Sequence, residues 1–262
     1  MKIRKLKLAI KKLPILGKSL TIINKRFFIK KYDPYDSPSK WLNKLLRGEK
    51  VKIVQIGSND GATGDPIYDL IKTNKNWEVV FVEPVSYLFK RLKNNYGSES
   101  RFSFCNVAIN AGSDQIFYSV KEEAKTDLPN LPIWYDQLGS FNKENILKHL
   151  DGVLEPYIEE TVVEGLTLDK LFKQNQIENL SLLHIDTEGY DWIILSQLDL
   201  SIIKPELILV EHRHLSKTEK RSLINFLKPD YLLFGLGGDI LGVEKNHTYI
   251  NDISGLKGTL LP

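Results

Sequence analysis

Two glycines enclose a short polar turn that could hold a ligand. The turn, Gly57-Ser58-Asn59-Asp60-Gly61, directly follows the apolar run Val51–Ile56. Glycine lets the backbone pass close to a ligand, and a helix that begins after the turn offers free N–H groups. The dinucleotide fingerprint Gly-x-Gly-x-x-Gly is not met, because an asparagine stands in place of its second glycine. The turn therefore favours a ligand with an amino-acid moiety over a pyrophosphate.

An acidic residue stands at the end of the next apolar run. Glu83 follows Trp77–Val82 and lies 26 residues beyond Gly57. A carboxylate at the end of a strand can accept hydrogen bonds from both hydroxyls of a ribose, as it does in nucleotide-binding βαβ units. Glu83 and the glycine turn together indicate a ligand that contains a ribose.

Two pairs of polar residues follow apolar runs in the second half of the chain. Asp186 and Glu188 end one run, and Glu211 and His212 end the next. Ligands in open α/β sheets bind beyond the carboxyl ends of strands, so these four residues are candidates for acid–base chemistry. Asp186, Glu188 and Asp191 could also supply oxygens for Mg²⁺. Their spacing is loose and acidic helix starts are common, so we predict no metal.

Alternating apolar runs and helical patterns predict the scaffold that positions these residues. The predicted strands are Val51–Ile56, Trp77–Val82, Phe102–Val107, Leu180–Ile185, Glu206–Val210, Tyr231–Leu236 and Thr248–Asn251, with Ile116–Val120 as a short antiparallel addition. The predicted helices are Thr63–Thr73, Ser86–Tyr96, Asn142–Leu150, Thr167–Gln174, Tyr190–Gln197 and Ser216–Leu227. Gly235-Leu-Gly-Gly238 is predicted as a turn between closing strands, and residues 121–139 as a long connection that could cover a site. The pattern predicts one α/β domain over residues 51–262, after an N-terminal helical extension over residues 1–50.

Five short motifs, taken in order, resemble those of the FkbM family of S-adenosylmethionine-dependent methyltransferases. They are Gln55–Gly61, Val82-Glu83-Pro84, Asn106-Val107-Ala108, His184–Gly189 and Val210-Glu211-His212. The resemblance covers about residues 50–215. It implies a Rossmann-like, seven-stranded class I methyltransferase fold and transfer of a methyl group to oxygen, often on sugars or secondary metabolites.

The resemblance also implies roles for individual residues. The methionine part of the cofactor is expected at Gly57, Ser58, Asn59, Asp60 and Gly61, the ribose at Glu83, the adenine at Asn106 and Val107, and a further cofactor contact at Ser140. Asp186 is expected near the cofactor, with Glu188, Glu211 or His212 as the base. Two positions depart from the family pattern: Gln55 stands where Asp is common, and His184 where Lys is common.

The net charge of +3 conceals an uneven distribution. Residues 1–31 contain eleven Lys or Arg and no Asp or Glu, which leaves 25 basic and 33 acidic residues in the remainder. Ile3, Leu6, Ile10 and Leu13 share one face of a predicted helix. This basic arm suits contact with an anionic membrane surface, or it packs on the body of the protein with its lysines in solvent.

Composition restricts the location and the class of the protein. Cys105 is the only cysteine, so an internal disulfide is excluded, and no apolar stretch reaches the roughly 18 residues of a membrane-spanning helix. We therefore expect a cytoplasmic protein, peripheral at the inner membrane surface if the arm binds lipid.

The sequence as a whole predicts an O-methyltransferase that acts on a hydroxyl of a sugar in a cell-surface glycan or glycolipid, or of a secondary metabolite. A nucleic-acid methyltransferase whose arm grips phosphates is the alternative. It is disfavoured because the Asn/Asp-Pro-Pro-aromatic motif for base amines is absent. A non-catalytic binding module on the same fold is a third interpretation, which the intact cofactor motifs disfavour.

Overall fold

A computed structural model describes residues 37–253 and 259–261 of the chain. The predicted basic arm, residues 1–31, lies outside the described residues. Within the described part, no helix combines the length and the apolar character needed to cross a bilayer.

Twelve strands and eight α-helices are described. The strands are β1 (Val51–Ile56), β2 (Trp77–Val82), β3 (Phe102–Cys105), β4 (Ala108–Ile109), β5 (Gln115–Val120), β6 (Ile158–Val163), β7 (Gly165–Leu166), β8 (Leu182–Ile185), β9 (Leu207–Glu211), β10 (Tyr231–Leu236), β11 (Asp239–Glu244) and β12 (Thr259–Leu260). The helices are α1 (Pro38–Leu45), α2 (Tyr68–Thr73), α3 (Ser86–Tyr96), α4 (Ala124–Asp127), α5 (Lys143–Leu147), α6 (Leu168–Gln174), α7 (Asp191–Leu195) and α8 (Lys217–Leu227).

The main sheet has the order β3-β2-β1-β8-β9-β11-β10, with the two-residue β12 added beside β10. The strands from β3 to β9 pair in parallel, whereas β11 is antiparallel to both of its neighbours. This order, with one reversed strand near the edge, confirms the predicted Rossmann-like, seven-stranded class I methyltransferase fold. The polar ends of β1, β2, β8 and β9 consequently meet along one side of the sheet.

Side chains alternate between two apolar layers, one on each face of the sheet. In β1, Val54 and Ile56 belong to one buried cluster, and Val51 and Ile53 to the other. This alternation follows from the two-residue repeat of a strand. Helix α1 adds to the second layer, where its Trp41 ring lies 4.8 Å from that of Phe234 between centroids. Residues 38–45 thus pack into the core of the domain.

The last strand pair differs from the prediction. The predicted strand Thr248–Asn251 is wrong, because Thr248 and Tyr249 are in a turn and a 3₁₀ helix begins at Ile250. The partner of β10 is β11, which the sequence analysis missed. Gly237, with φ of +71°, reverses the chain directly after β10, so that Leu236 pairs with Asp239. The predicted turn is confirmed at Gly237 and Gly238, whereas Gly235 and Leu236 belong to β10.

The first predicted helix is shorter than expected. Thr63–Thr73 was predicted to be helical, but α2 begins only at Tyr68. The carboxylate of Asp60 accepts hydrogen bonds from the N–H groups of Ala62 and Thr63, which stabilises a turn instead.

Candidate active site

The glycine turn after β1 lies against the ends of two neighbouring strands. The N–H groups of Gly57 and Ser58 both donate to the carbonyl of Val82, at 3.0 Å each. Gly57 has φ of +79°, and a Cβ there would lie 1.7 Å from the carbonyl oxygen of Asp186. Only glycine fits this position without movement of the backbone.

Glu83 is held at the end of β2 by the same turn. Its side chain is buried, its Oε2 accepts from the N–H of Asn59 at 2.9 Å, and its Oε1 accepts from Val85 at 2.8 Å. Burial raises the pKa of Glu83 to about 7. Each oxygen retains a lone pair, so the carboxylate is oriented and still able to accept further hydrogen bonds.

A narrow cleft opens between the turn, Glu83 and the end of β8. The lining residues include Gly57, Asn59, Glu83, Val85, Val107, Phe117, Ser140, Phe141, Asp186, Thr187 and Tyr190. The cleft is mostly apolar, and the buried Oγ1 of Thr187 has no hydrogen-bond partner in it. Its volume is about 50 Å³. A nucleoside-sized ligand therefore needs the walls to move apart, since small-molecule pockets typically enclose roughly 300–1,000 Å³.

A larger cavity of about 570 Å³ adjoins the cleft. Gln137, Asp186 and Glu188 line both spaces. The other residues around the cavity include Thr63, Ile133, Trp134, His149, His184, Glu211, Arg213, His214 and Asp239. Some of the lining residues, among them Ile133 and Trp134, come from the connection over residues 121–139, so this segment lies over the cavity. Because the cleft and the cavity share lining residues, ligands bound in each of them would be close enough to react with each other.

Three carboxylates converge where the two spaces meet. Asp186, Glu188 and Glu211 each offer an oxygen, and these oxygens lie within 4.8 Å of one another. Burial first, and the neighbouring acids second, raise the pKa of Glu188 to about 8 and that of Glu211 to about 10. Glu188 has φ of 53°, an uncommon backbone conformation for a residue other than glycine. The local fold thus brings three acidic side chains close together, and their proximity favours the protonated forms of Glu188 and Glu211.

Two histidines and an arginine face the carboxylates. Nε2 of His214 lies 3.1 Å from Oε2 of Glu188 and 3.8 Å from Oε1 of Glu211. The ring centroids of His149 and His214 are 5.5 Å apart. Burial lowers the pKa of both histidines. Burial raises the pKa of Asp186 to about 6, and the charge of Arg213 opposes part of this rise. His149, Arg213 and His214 lie outside the five motifs, so no role for them could be predicted from the sequence.

Three of the predicted site residues do not line the cleft, but they contact the segments that do. Ser58 Oγ donates to the carbonyl of Gln55 and accepts from the N–H of Val82. Asn106 is exposed, and its side chain donates to the carbonyl of Glu83 at 2.8 Å. Gly61 packs so closely on α3 that a Cβ would lie 2.4 Å from Leu92.

His212 lies away from both spaces. Its Nδ1 is 3.2 Å from Nζ of Lys220 on α8, and it is not part of the cavity lining.

Asp191 binds backbone groups and does not point its carboxylate at a ligand site. Its two carboxylate oxygens accept hydrogen bonds from the N–H groups of Thr187 and Gly189, at 2.9 and 3.0 Å. Asp191 therefore stabilises the turn after β8.

The two departures from the family pattern are neighbours in the sheet. Gln55 on β1 pairs in register with His184 on β8. Nε2 of Gln55 donates to Asp65 at 3.0 Å, so the amide retains a hydrogen-bonding role without a charge. His184 is buried, and burial lowers its pKa to about 4. Both positions are therefore uncharged near neutral pH.

A comparison with protein families decides the assignment. A model of the methyltransferase FkbM domain matches residues 55–249. The chain belongs to the FkbM methyltransferase family. This membership implies S-adenosylmethionine as the cofactor. The cleft of this methyltransferase suits that molecule chemically, because it combines a glycine turn, a strand-end carboxylate and the unpartnered Thr187 hydroxyl among apolar walls.

Solved structures resemble the methyltransferase only distantly. It is similar to a chain of a fibrillarin/Nop5p complex, with 13% identity, a TM-score of 0.40, and coverage of 81% of this chain and 82% of that chain. It is also similar to a precorrin-6y C5,15-methyltransferase from Geobacter metallireducens GS-15, with 12% identity, a TM-score of 0.35, and coverage of 78% and 86%. For the O-methyltransferase NovP the values are 8% identity, a TM-score of 0.36, and coverage of 82% and 80%. No curated protein matches the chain.

Proposed function

We propose that this methyltransferase methylates a hydroxyl group of a sugar, in a cell-surface glycan or glycolipid or in a glycosylated secondary metabolite. The observation that carries the proposal is the cavity of about 570 Å³ beside the cofactor cleft. Carboxylates, histidines and partly exposed apolar side chains line it together, and Asp186 and Glu188 border both spaces. An acceptor in this cavity lies next to the place where the methyl group is bound.

We place the cofactor in the cleft because the residues of the cleft match the chemical groups of the cofactor. Glu83 would accept hydrogen bonds from the ribose hydroxyls, and the turn at Gly57 and Asn59 would hold the methionine part. Val107 would contact the adenine, and Ser140 and Asp186 would lie beside the cofactor. When bound, S-adenosylmethionine supplies a methyl group on a positively charged sulfur, and its transfer to oxygen leaves a neutral thioether.

Glu83→Gln tests the cofactor assignment. The substitution keeps the size of the side chain but removes the charge and replaces one acceptor oxygen with a donor. Hydrogen bonds to charged groups contribute roughly 1.5–3 kcal/mol, so we expect the affinity for S-adenosylhomocysteine to fall by about 10- to 100-fold in isothermal titration calorimetry. Glu78→Gln is the matched control, because Glu78 lies on the same strand with its side chain 54% exposed. Equal affinities of the two variants would contradict the role of Glu83.

His214 is the residue we assign to accept the hydroxyl proton. Its Nε2 lies 3.1 Å from Oε2 of Glu188, a buried oxygen without a hydrogen-bond partner. The neutral imidazole ring has one N–H donor and one free acceptor nitrogen, and the acceptor nitrogen can take a proton. When the hydroxyl proton passes to His214, the acceptor oxygen keeps the electron pair that forms the new bond to the methyl carbon. The bond between that carbon and sulfur breaks, and the positive charge moves from sulfur to the protonated His214.

The outer wall of the cavity supports a sugar acceptor. Trp134 is 39% exposed and Ile133 is 72% exposed, and both line the cavity. A flat, partly exposed aromatic ring suits the apolar face of a sugar, while Arg213 and the carboxylates suit its hydroxyls. Trp134 also contacts His149, with 6.1 Å between ring centroids, which holds the indole over the site.

Methyl transfer to extracted glycans and glycolipids tests the function directly. With cofactor labelled at the methyl carbon, we expect label in the carbohydrate fraction as an ether that survives mild alkali, which hydrolyses methyl esters. Trp134→Ala should raise KM for this acceptor by about tenfold while leaving S-adenosylhomocysteine affinity unchanged, because aromatic contacts bind the acceptor only. Label confined to RNA or protein would reject the sugar proposal.

The basic arm, which lies outside the described residues, is proposed to bring the enzyme to an anionic membrane surface. Attraction between exposed charges fades over about 8 Å at physiological salt, so the arm must lie on the membrane to act. We expect deletion of residues 2–13 to abolish sedimentation with vesicles that contain anionic lipid, and full-length protein to bind neutral vesicles poorly. Cofactor affinity, measured on both proteins, should not change. Equal sedimentation of both proteins would discard the membrane role.

A further inference from the structure

The oxygens of the three converging carboxylates are spaced closely enough to bind a single ion. The oxygens offered by Asp186, Glu188 and Glu211 lie within 4.8 Å of one another. Mg²⁺ binds oxygens at 2.0–2.1 Å and Ca²⁺ at 2.3–2.6 Å, so oxygens on opposite sides of one ion are roughly 4–5 Å apart. One ion can therefore contact all three without a large movement of the backbone.

Buried polar atoms at the same place have no partner. Glu211 is 7% exposed, and its Oε2 makes no hydrogen bond. His184, on the neighbouring strand β8, is 3% exposed, and its Nδ1 is also without a hydrogen bond. Both residues line the cavity. Buried polar groups usually have a partner, so these atoms indicate a ligand at this end of the cavity.

The choice of ligands follows from what each carboxylate already contacts. The sequence suggests Asp191 as a third acid beside Asp186 and Glu188, but both oxygens of Asp191 accept backbone N–H groups. Glu211, from β9, takes its place at the convergence. The sheet thus contributes ligands from two adjacent parallel strands.

We propose that Asp186, Glu188 and Glu211 bind one hard divalent cation, of the class of Mg²⁺ and Mn²⁺. Oxygen ligands favour these ions, and three carboxylates leave coordination positions for water and a substrate oxygen on the cavity side. A second group, His149, Glu188 and His214, also offers atoms within 4.8 Å of one another. Its two nitrogens would favour Zn²⁺. We commit to the carboxylate set because it is more buried and contains the unpartnered Glu211 oxygen.

The cation has a direct use if the enzyme methylates a hydroxyl, so its role rests on the proposed function. A divalent cation that binds an alcohol oxygen favours loss of the proton from that oxygen. His214, 3.8 Å from Glu211, is next to the site and can receive the proton. The site would therefore both position the acceptor and make its oxygen a better nucleophile.

Mn²⁺ binding to the full-length protein tests the site without reference to activity. After treatment with EDTA and its removal, Mn²⁺ is titrated and the free ion is followed by electron paramagnetic resonance. We expect one bound Mn²⁺ per chain, displaced by Mg²⁺. Glu211→Gln and Asp186→Asn should each weaken binding by about tenfold or more. Glu160→Gln, at an exposed position on β6, is the matched control and should bind normally. Circular dichroism and thermal unfolding establish that each variant is folded.

The outcomes separate the metal site from the proposed function. Absence of Mn²⁺ binding by folded wild-type protein, or binding that neither carboxylate variant weakens, would overturn the site. Zn²⁺ binding that depends on His149 but not on Glu211 would also overturn it, in favour of the histidine set. Carboxylate-dependent Mn²⁺ binding without methyl transfer to any hydroxyl would support the site and reject the proposed function. Full activity of the EDTA-treated enzyme would overturn the catalytic use of the cation.

Discussion

Replacement of His214 by alanine is expected to lower the turnover of methyl transfer by about 10²- to 10⁴-fold at saturating cofactor and acceptor. The loss is large because a sugar hydroxyl is a weak acid, and the substitution removes the group to which its proton passes. Affinity for S-adenosylhomocysteine should stay within about twofold of wild type, since His214 does not line the cofactor cleft. Single-turnover kinetics and calorimetry measure the two quantities separately.

His212→Ala decides between the two histidines of the same loop. The sequence places His212 among the candidate bases, whereas the fold turns it toward Lys220 and leaves His214 in the cavity. We therefore expect the His212 variant to retain turnover within a few-fold of wild type. A large loss in the His212 variant with a small loss in the His214 variant would reverse our assignment.

Gly57→Ala is expected to abolish cofactor binding and to destabilise the fold by about 3 kcal/mol or more. An alanine Cβ would lie 1.7 Å from the carbonyl oxygen of Asp186, so the ends of β1 and β8 must separate. The positive φ of +79° adds a further cost for any residue with a Cβ. Urea unfolding measures the stability, and calorimetry with S-adenosylhomocysteine measures the binding.

Gly237→Ala controls for the cost of the backbone conformation alone. Gly237 has φ of +71°, but a Cβ there meets no atom within 4 Å. We expect a loss of about 1–2 kcal/mol and normal cofactor affinity. If both variants lose the same stability and both bind the cofactor, steric overlap at the end of β8 is not what requires glycine at position 57.

Local sequence patterns predicted the elements that build the cofactor side of the site. Val51–Ile56 and Trp77–Val82 were predicted with the bounds that β1 and β2 have. Both strands are rich in apolar, β-branched residues and are followed at once by glycine or polar residues, and this signal is contained within a few consecutive residues. Glu83 and the turn at Gly57 could be predicted for the same reason, because each directly follows one of these strands.

The predictions that failed depended on contacts across the chain. Thr248–Asn251 has a strand-like composition, but β11 occupies the position between β10 and β9 in the sheet. The start of α2 was misplaced because a turn at Gly64, whose φ of +77° is not helical, competes with the helix. Neither competition is visible in the local pattern of apolar residues.

By itself, the sequence determined the class I methyltransferase fold, the FkbM family and therefore the cofactor, because strand-end motifs are short and local. Only the tertiary structure decided which side chains meet around the larger cavity. Glu188 follows β8, Glu211 ends β9, and His149 lies in a connection about 40 residues before Glu188 in the chain. Parallel pairing of β8 with β9 brings the two acids together, and the segment between β5 and β6 adds His149 and Trp134. The acids could be predicted because each follows a strand, whereas His149 and Trp134 become their neighbours only when the segment between β5 and β6 folds over the sheet.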